Sequence, residues 1–270
     1  MRAWFFLVVA GVWVLSRYSQ MIEHREMASD IQHYQQAQTA ISLEENVMAL
    51  LSGPRLPPAK GEATALVVLL HGYGADGNDL IGLAPHWQRL LPGAAFAAPN
   101  APDRVPGTPT GFQWFPIARL DPHEARDGVR SAAPRISEFL DAELARLSLP
   151  PERLVLAGFS QGAMLALHLG LRRAPAAIVG FSGLLADPPP AEGHRPPVLL
   201  THGGADTVIP VGAMFAAAAS LGVAGVAVQW HLAPEMGHGI DEQGLSLAGN
   251  FLAMALAGRL KTQGPISSPL

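Results

Sequence analysis

Six short apolar runs, each followed by glycine, proline or asparagine and separated by stretches of helical spacing, constrain most strongly what this chain can fold into. The runs are Leu66–Leu70, Ala94–Ala98, Leu154–Ala157, Ile178–Phe181, Val198–Thr201 and Val226–His231. Most are continuous apolar runs rather than alternating ones, which is how strands buried on both faces of a parallel sheet read. Helical spacing runs over 79–91, 124–147, 161–173, 211–221 and 243–260. In the second of these, Ile136, Phe139, Leu140, Leu144 and Leu147 share one face. Strand–helix alternation over about 200 residues predicts an α/β fold, an open and mostly parallel central sheet with helices on both faces. Hydrophobic residues make up 49% of the chain, enough apolar surface to exclude a disordered polypeptide.

Charge and cysteine usage exclude whole classes of chemistry. Eighteen Lys and Arg stand against 22 Asp and Glu, for a net charge of -4. With no basic excess to neutralise a phosphate backbone, no nucleic-acid partner is expected. The 270 residues include no cysteine, which removes disulfides, thiolate zinc sites, iron–sulfur clusters and a cysteine nucleophile. Nucleophilic chemistry would have to come from a hydroxyl, a lysine, a carboxylate or a histidine.

Residues 1–47 differ from the rest in composition. A 13-residue apolar run, Ala3–Leu15, precedes a Gln-rich stretch with Gln32, Gln35, Gln36 and Gln38. The run is shorter than the roughly 17–25 residues of a spanning helix. Its length suits the apolar region of a secretory signal, yet no small-x-small cleavage site follows in Ser16-Arg-Tyr-Ser-Gln20. Met21, Met27 and Met48 are alternative starts. The extension is therefore read as a signal or anchor, or as a start placed too far upstream. A membrane partner is expected only if the run is a real anchor; otherwise the expected location is cytoplasmic. The functional domain is expected over 48–262, with a flexible tail over 263–270.

The segment 99–122 holds six prolines together with Gly107 and Gly111, and it carries Phe112, Trp114 and Phe115. Loops of this length inside a compact domain are usually functional. Aromatic rings at a strand end point to the lining of a pocket.

Gly158-Phe-Ser-Gln-Gly162 follows one apolar run and opens one helical stretch. In that context G-x-S-x-G reads as a nucleophile elbow, a sharp strand-to-helix turn that lifts the serine above the sheet edge. A serine hydroxyl needs a base, and in this arrangement an acid and then a histidine follow it in chain order. His238, in the glycine-flanked Pro234-Glu-Met-Gly-His-Gly239, is the preferred base, and His202 is the second choice. His168 lies within the helix after the elbow, His194 in a Pro-rich loop, and His231 at a strand end. Asp206 is the preferred acid because Val198-Leu-Leu-Thr-His-Gly-Gly-Ala-Asp206 reads strand, glycine turn, acid. Asp187, in a proline run, is expected to be solvated, and Asp241 is expected to cap the last helix. Oxyanion donors are expected from the backbone N–H groups of Gln161 and, in the His71-Gly-Tyr-Gly74 loop, of Tyr73.

Rival motifs fit less well. Gly72-Tyr-Gly-Ala-Asp-Gly77 has the dinucleotide-binding spacing, but no acid ends the next strand, where the chain reads Ala97-Ala-Pro-Asn100. A calcium loop starting at Asp76 would place Ile81 where glycine is needed. Asn78 and Asp79 are read as helix caps instead.

Four ordered motifs now stand together: Leu70-His-Gly-Tyr-Gly-Ala-Asp76, Gly158-Phe-Ser-Gln-Gly162, His202-Gly-Gly-Ala-Asp206 and Gly237-His-Gly-Ile240. Over about residues 50–260 they resemble the phospholipase/carboxylesterase family of α/β-hydrolases, which includes bacterial carboxylesterases and acyl-protein thioesterases. The resemblance implies an esterase with Ser160 as nucleophile, Asp206 as orienting acid, His238 as base, and Tyr73 and Gln161 as oxyanion donors. It implies no metal or cofactor, and a small-molecule ester or thioester (or lysophospholipid) substrate. Trp114, Phe115 and Leu184 are the candidates for the acyl pocket, and a homodimer is compatible with it. The related dienelactone hydrolases carry a cysteine at the elbow, where this chain has serine. A non-catalytic binding module on the same fold is the alternative of a different class; an eroded triad would favour it, and all three members are present.

Overall fold

A computed structural model describes residues 51–108, 110–119 and 121–260. The expectations for 1–47 and for the tail 263–270 lie outside the described residues. Nine strands are present among them: β1 (Arg55–Leu56), β2 (Ala65–Leu70), β3 (Ala94–Ala97), β4 (Asp103–Arg104), β5 (Phe112–Gln113), β6 (Leu154–Phe159), β7 (Ala177–Phe181), β8 (Val198–Gly203) and β9 (Val228–Ala233). The helices are α1 (Gly77–Ile81), α2 (Ala84–Gln88), α3 (Pro122–Arg146), α4 (Gln161–Gly170), α5 (Gly212–Val223) and α6 (Glu242–Leu256). Seven strands form one sheet in the order β1-β3-β2-β6-β7-β8-β9, parallel throughout except for the antiparallel edge strand β1.

Every residue of β2, β3, β7 and β8 is buried, as runs covered on both faces must be. On one face Val67, Leu69, Val155, Ala157, Val179 and Leu199 join Trp87 of α2 and Ala248, Phe251 and Leu252 of α6 in one apolar cluster. The Trp87 indole N–H donates to the Leu245 carbonyl at 2.9 Å, so the buried ring leaves no orphan donor. The alternate residues of the strands face the other way, toward α3, α4 and α5. Gly170 of α4 lies directly on Ile178, and Gly180 lies beside Leu200 and the Ala163 and Leu167 side chains. None of the described helices is long and apolar enough to cross a membrane.

The expected elements differ from the observed ones in instructive places. The helix expected over 79–91 is two short helices. Pro85 starts the second, and a proline without an N–H cannot continue the ladder of the first past Gly82. The cap of α1 is Asp76, not Asn78 or Asp79. Its carboxylate accepts the Asn78 and Asp79 N–H groups at 2.7 and 3.3 Å, and Asp79 returns a bond to the Asp76 N–H at 3.4 Å. The segment 99–122 is not all loop, since β4 and β5 pair antiparallel, Asp103 opposite Gln113. The last strand is shifted two residues, because its register is set by pairing along β8, from Val198 opposite Val228 to Gly203 opposite Ala233.

Candidate active site

The parallel strands bring their C-terminal ends to one edge, and the candidate site is built there. Between β6 and α4 the chain turns at Ser160, whose φ of 54° and ψ of -115° put a non-glycine residue in the costly positive-φ region. Neighbouring glycines make the turn feasible. A Cβ on Gly162 would run into the carbonyl oxygens of Leu70 and His71, and one on Gly158 into the Gly162 backbone. The Ser160 N–H donates to Phe181 O at 2.9 Å, while its carbonyl accepts the first helical bonds from Ala163 and Met164 at 3.0 and 3.1 Å. The hydroxyl takes no part in capping the helix. Gln161, the first residue of α4, has an N–H without an intrahelical partner.

Asp206 is buried beyond the end of β8. Its Oδ1 accepts the Val208 and Ile209 N–H groups, both at 2.9 Å. Its Oδ2 lies 2.7 Å from His238 Nδ1. Burial alone would raise this carboxyl's pKa, but the bonds from His238, Ile209 and Val208 outweigh it and hold the group below the usual aspartate range. The half-buried His238 ring stacks obliquely on Phe159, 4.9 Å between centroids, so it sits next to the elbow. With Nδ1 committed to Asp206, Nε2 is the nitrogen left for proton transfer.

His202, the second choice for the base, lies within the interior. It is buried, with Nε2 at 2.8 Å from Ile209 O and 3.3 Å from Asp206 Oδ2, and it braces the acid from behind. Its strand-end position could not reveal this, because the bracing turn runs through Ile209.

The loop after β2 packs on the elbow. A Cβ on Gly72 would meet the Phe159 ring at 2.9 Å and Ser160 Cβ at 3.4 Å, so only glycine lets Tyr73 follow so close to the serine. The fully buried His71 anchors the loop. Its Nε2 accepts the Ala101 N–H at 2.9 Å, so Nδ1 carries the proton toward Gly72 O at 2.7 Å. Burial is the leading cause that lowers the His71 pKa, in keeping with a neutral ring. The Gln161 side chain, also fully buried, accepts from the Trp114 N–H at 2.9 Å and donates to Phe115 O at 2.7 Å. Trp114 Nε1 donates to His71 O at 2.8 Å. The elbow, the aromatic loop and the loop after β2 are thus one hydrogen-bonded unit, which the sequence signalled only through its motif glycines.

Of the pocket candidates, Trp114 and Phe115 are almost fully buried, and Phe115 lies so close to α3 that Gly128 has no room for a Cβ. Their rings brace the site from within rather than facing an open pocket. Leu184, on the loop after β7, is half-buried.

Asp187 overturns its expectation. Far from being solvated, it is 2% exposed and bonded to Arg130 at 3.1 and 2.9 Å and to Arg172 at 2.7 Å, with His168 Nδ1 at 3.3 Å. Arg130 of α3 and Arg172, just past the end of α4, meet the carboxylate. Asp241 does cap α6, accepting the Gly244 N–H at 3.1 Å, and its other oxygen binds His231 at 2.9 Å.

A family model for phospholipase/carboxylesterase matches residues 53–256. The chain belongs to the phospholipase/carboxylesterase family. Acyl-protein thioesterase 1 of Schizosaccharomyces pombe is 33% identical over 162 residues, 54% of this chain and 70% of the relative. Acyl-protein thioesterase 1 of Gibberella zeae is 28% identical over 231 residues, 75% of this chain and 95% of the relative. The crystal structure of esterase PE8 superimposes with a TM-score of 0.71 at 42% identity, covering 75% of this chain and 98% of that one. As a member of the family the chain is a hydrolase of the esterase type with an α/β-hydrolase fold.

Proposed function

We propose that this chain is a serine hydrolase that cleaves carboxylic esters or thioesters of small molecules through an acyl-enzyme. The observation that carries the reading is the 2.7 Å contact of His238 Nδ1 with a carboxylate whose other oxygen two backbone amides hold, beside a serine at positive φ. Ser160 Oγ attacks the carbonyl while His238 Nε2 takes its proton, and Asp206 keeps the ring's tautomer and stabilises the imidazolium. The N–H groups of Gln161 and Tyr73 hold the oxyanion, helped by the positive end of α4. His238 returns the proton to the leaving alcohol or thiol, then activates the water that frees the acid and restores Ser160. Leu184 lines the acyl side. The acyl-protein thioesterase relatives support including thioesters among the substrates.

Hydrolysis of p-nitrophenyl esters and of an acyl thioester by the wild type and by Ser160→Ala tests this. The variant is expected to lose a factor of about 10⁴ or more in kcat. Equal rates, or no wild-type hydrolysis across acyl chains from acetyl to palmitoyl, would refute the reading.

A further inference from the structure

Among the described residues three non-glycine residues have positive φ, and all are serines: Ser148, Ser160 and Ser182. Ser148 is exposed just past the end of α3, a common place for a left-handed residue. Ser160 is the elbow. Ser182, with φ 47° and no exposed surface, has no such ready explanation. Glycine would take this conformation without strain, and asparagine more easily than serine does. What serine supplies here is a hydroxyl.

That hydroxyl donates to Gly239 O at 2.8 Å, the carbonyl directly after His238. On its own chain Ser182 is rigidly placed. Its N–H donates to Thr201 O at 2.8 Å, and the preceding carbonyl, Phe181 O, accepts the Ser160 N–H at 2.9 Å. The next residue, Gly183, packs so that a Cβ would meet Ala163 Cβ at 2.5 Å and Ser160 O at 3.2 Å. Ser182 is therefore fastened to the elbow on one side and to the histidine loop on the other. Ahead of His238, that loop is held by backbone bonds from Met236 N to Ala233 O at 3.2 Å and from Ala205 N to Met236 O at 3.0 Å. Gly237 and Gly239 flank the histidine and leave its backbone free to swing. The Ser182 hydroxyl grips the far side.

We infer that Ser182 is a positioning residue for His238, its hydroxyl clamping Gly239 so that the imidazole keeps its bond to Asp206 while staying beside Ser160. The inference rests on the serine-hydrolase reading above. Misplacing a reacting group by about 1 Å can cost about 10²-fold in rate, so losing the clamp is expected to cost about 10- to 100-fold.

The test is steady-state hydrolysis of p-nitrophenyl acetate by the full chain. The variants are Ser182→Ala, Ser182→Gly, His238→Ala and the Ser182→Ala/His238→Ala double variant. Both Ser182 variants are expected to lose about 10- to 100-fold in kcat with KM within about twofold of wild type. Ser182→Ala should add no further loss once His238 is gone, because residues acting through one another are not additive. Glycine accepts the positive φ, so Ser182→Gly reads the hydroxyl alone even if the alanine variant folds poorly. Either folded variant with kcat within about threefold of wild type would overturn the inference. So would an undiminished Ser182→Ala loss in the His238→Ala background, the mark of a general structural role. A wild type without esterase activity would instead sink the underlying hydrolase reading. An active, Ser160-dependent wild type with unaffected Ser182 variants would sink the clamp alone.

Discussion

His168 lies in α4 eight residues beyond the elbow serine, and it sets an acid limit on stability. It is 5% exposed, and its Nδ1, 3.3 Å from Asp187 Oδ2, has no well-directed hydrogen bond. Burial is the main reason its proton affinity falls. The Arg172 charge adds to this, and the attraction of Asp187 does not compensate, so its pKa drops from 6.5 to about 4. In the unfolded chain the ring takes up a proton as pH falls through 6.5, whereas the folded ring stays neutral until about 4. Stability must therefore decline as pH falls across that window. At about 1.4 kcal/mol for each tenfold change in proton affinity, the full window is worth about 3 kcal/mol, and about 2–3 kcal/mol of it is gone by pH 4.5. Asp187 acts in a different window. Burial would raise its carboxyl, but bonds from Arg130 and the charges of Arg172 and Arg130 hold it below the usual range. Its contribution is complete above the unfolded aspartate range and is lost only as pH falls through the lower folded value. Replacing the ring by a similar apolar volume, His168→Leu, removes the first window and leaves the second. Urea unfolding at pH 7.5 and at pH 4.5 measures it: wild type is expected to lose about 2–3 kcal/mol more than the variant. An equal loss in both proteins would refute the argument that this buried, neutral ring is the acid-sensitive group.

Two further outcomes follow from the site. Gly162→Ala drives a methyl into the Leu70 and His71 carbonyl oxygens, backbone atoms that cannot yield cheaply. It is expected to cost about 3 kcal/mol, roughly 6–12 °C in Tm by thermal circular dichroism, and most of the esterase activity through displacement of Ser160. Asp206→Asn keeps an oxygen for the Val208 and Ile209 amides but no longer fixes the imidazole's tautomer. Its kcat toward p-nitrophenyl esters is expected to drop about 10⁴-fold, and a drop of less than tenfold would remove Asp206 from the proposed triad.

The order of the elements was legible in the chain because parallel strands, covered on both faces, must be apolar without alternation. The elbow was legible for a related reason: a turn this tight needs glycine at both flanks and leaves G-x-S-x-G as its trace. Asp206 and His238 could be paired in advance because each ends a strand or follows one, so the topology alone brings them to one edge. What stayed hidden depends on direction rather than on residue type. Asp187 among prolines looks the same whether its carboxylate meets water or Arg130 and Arg172, and only the packing of α3 on α4 turns it inward. His202 reads as a rival base until the turn through Ile209 places its ring behind Asp206. Trp114 and Phe115 read as pocket rings until Gln161 and Gly128 are seen to hold them in the interior. Local sequence determined which backbone could form and which side chains could do chemistry, since periodicity and steric freedom act over a few residues. The tertiary structure decided which of those groups face one another, because a hydrogen bond or an ion pair between residues 57 or 32 positions apart exists only once the sheet has brought them within about 3 Å.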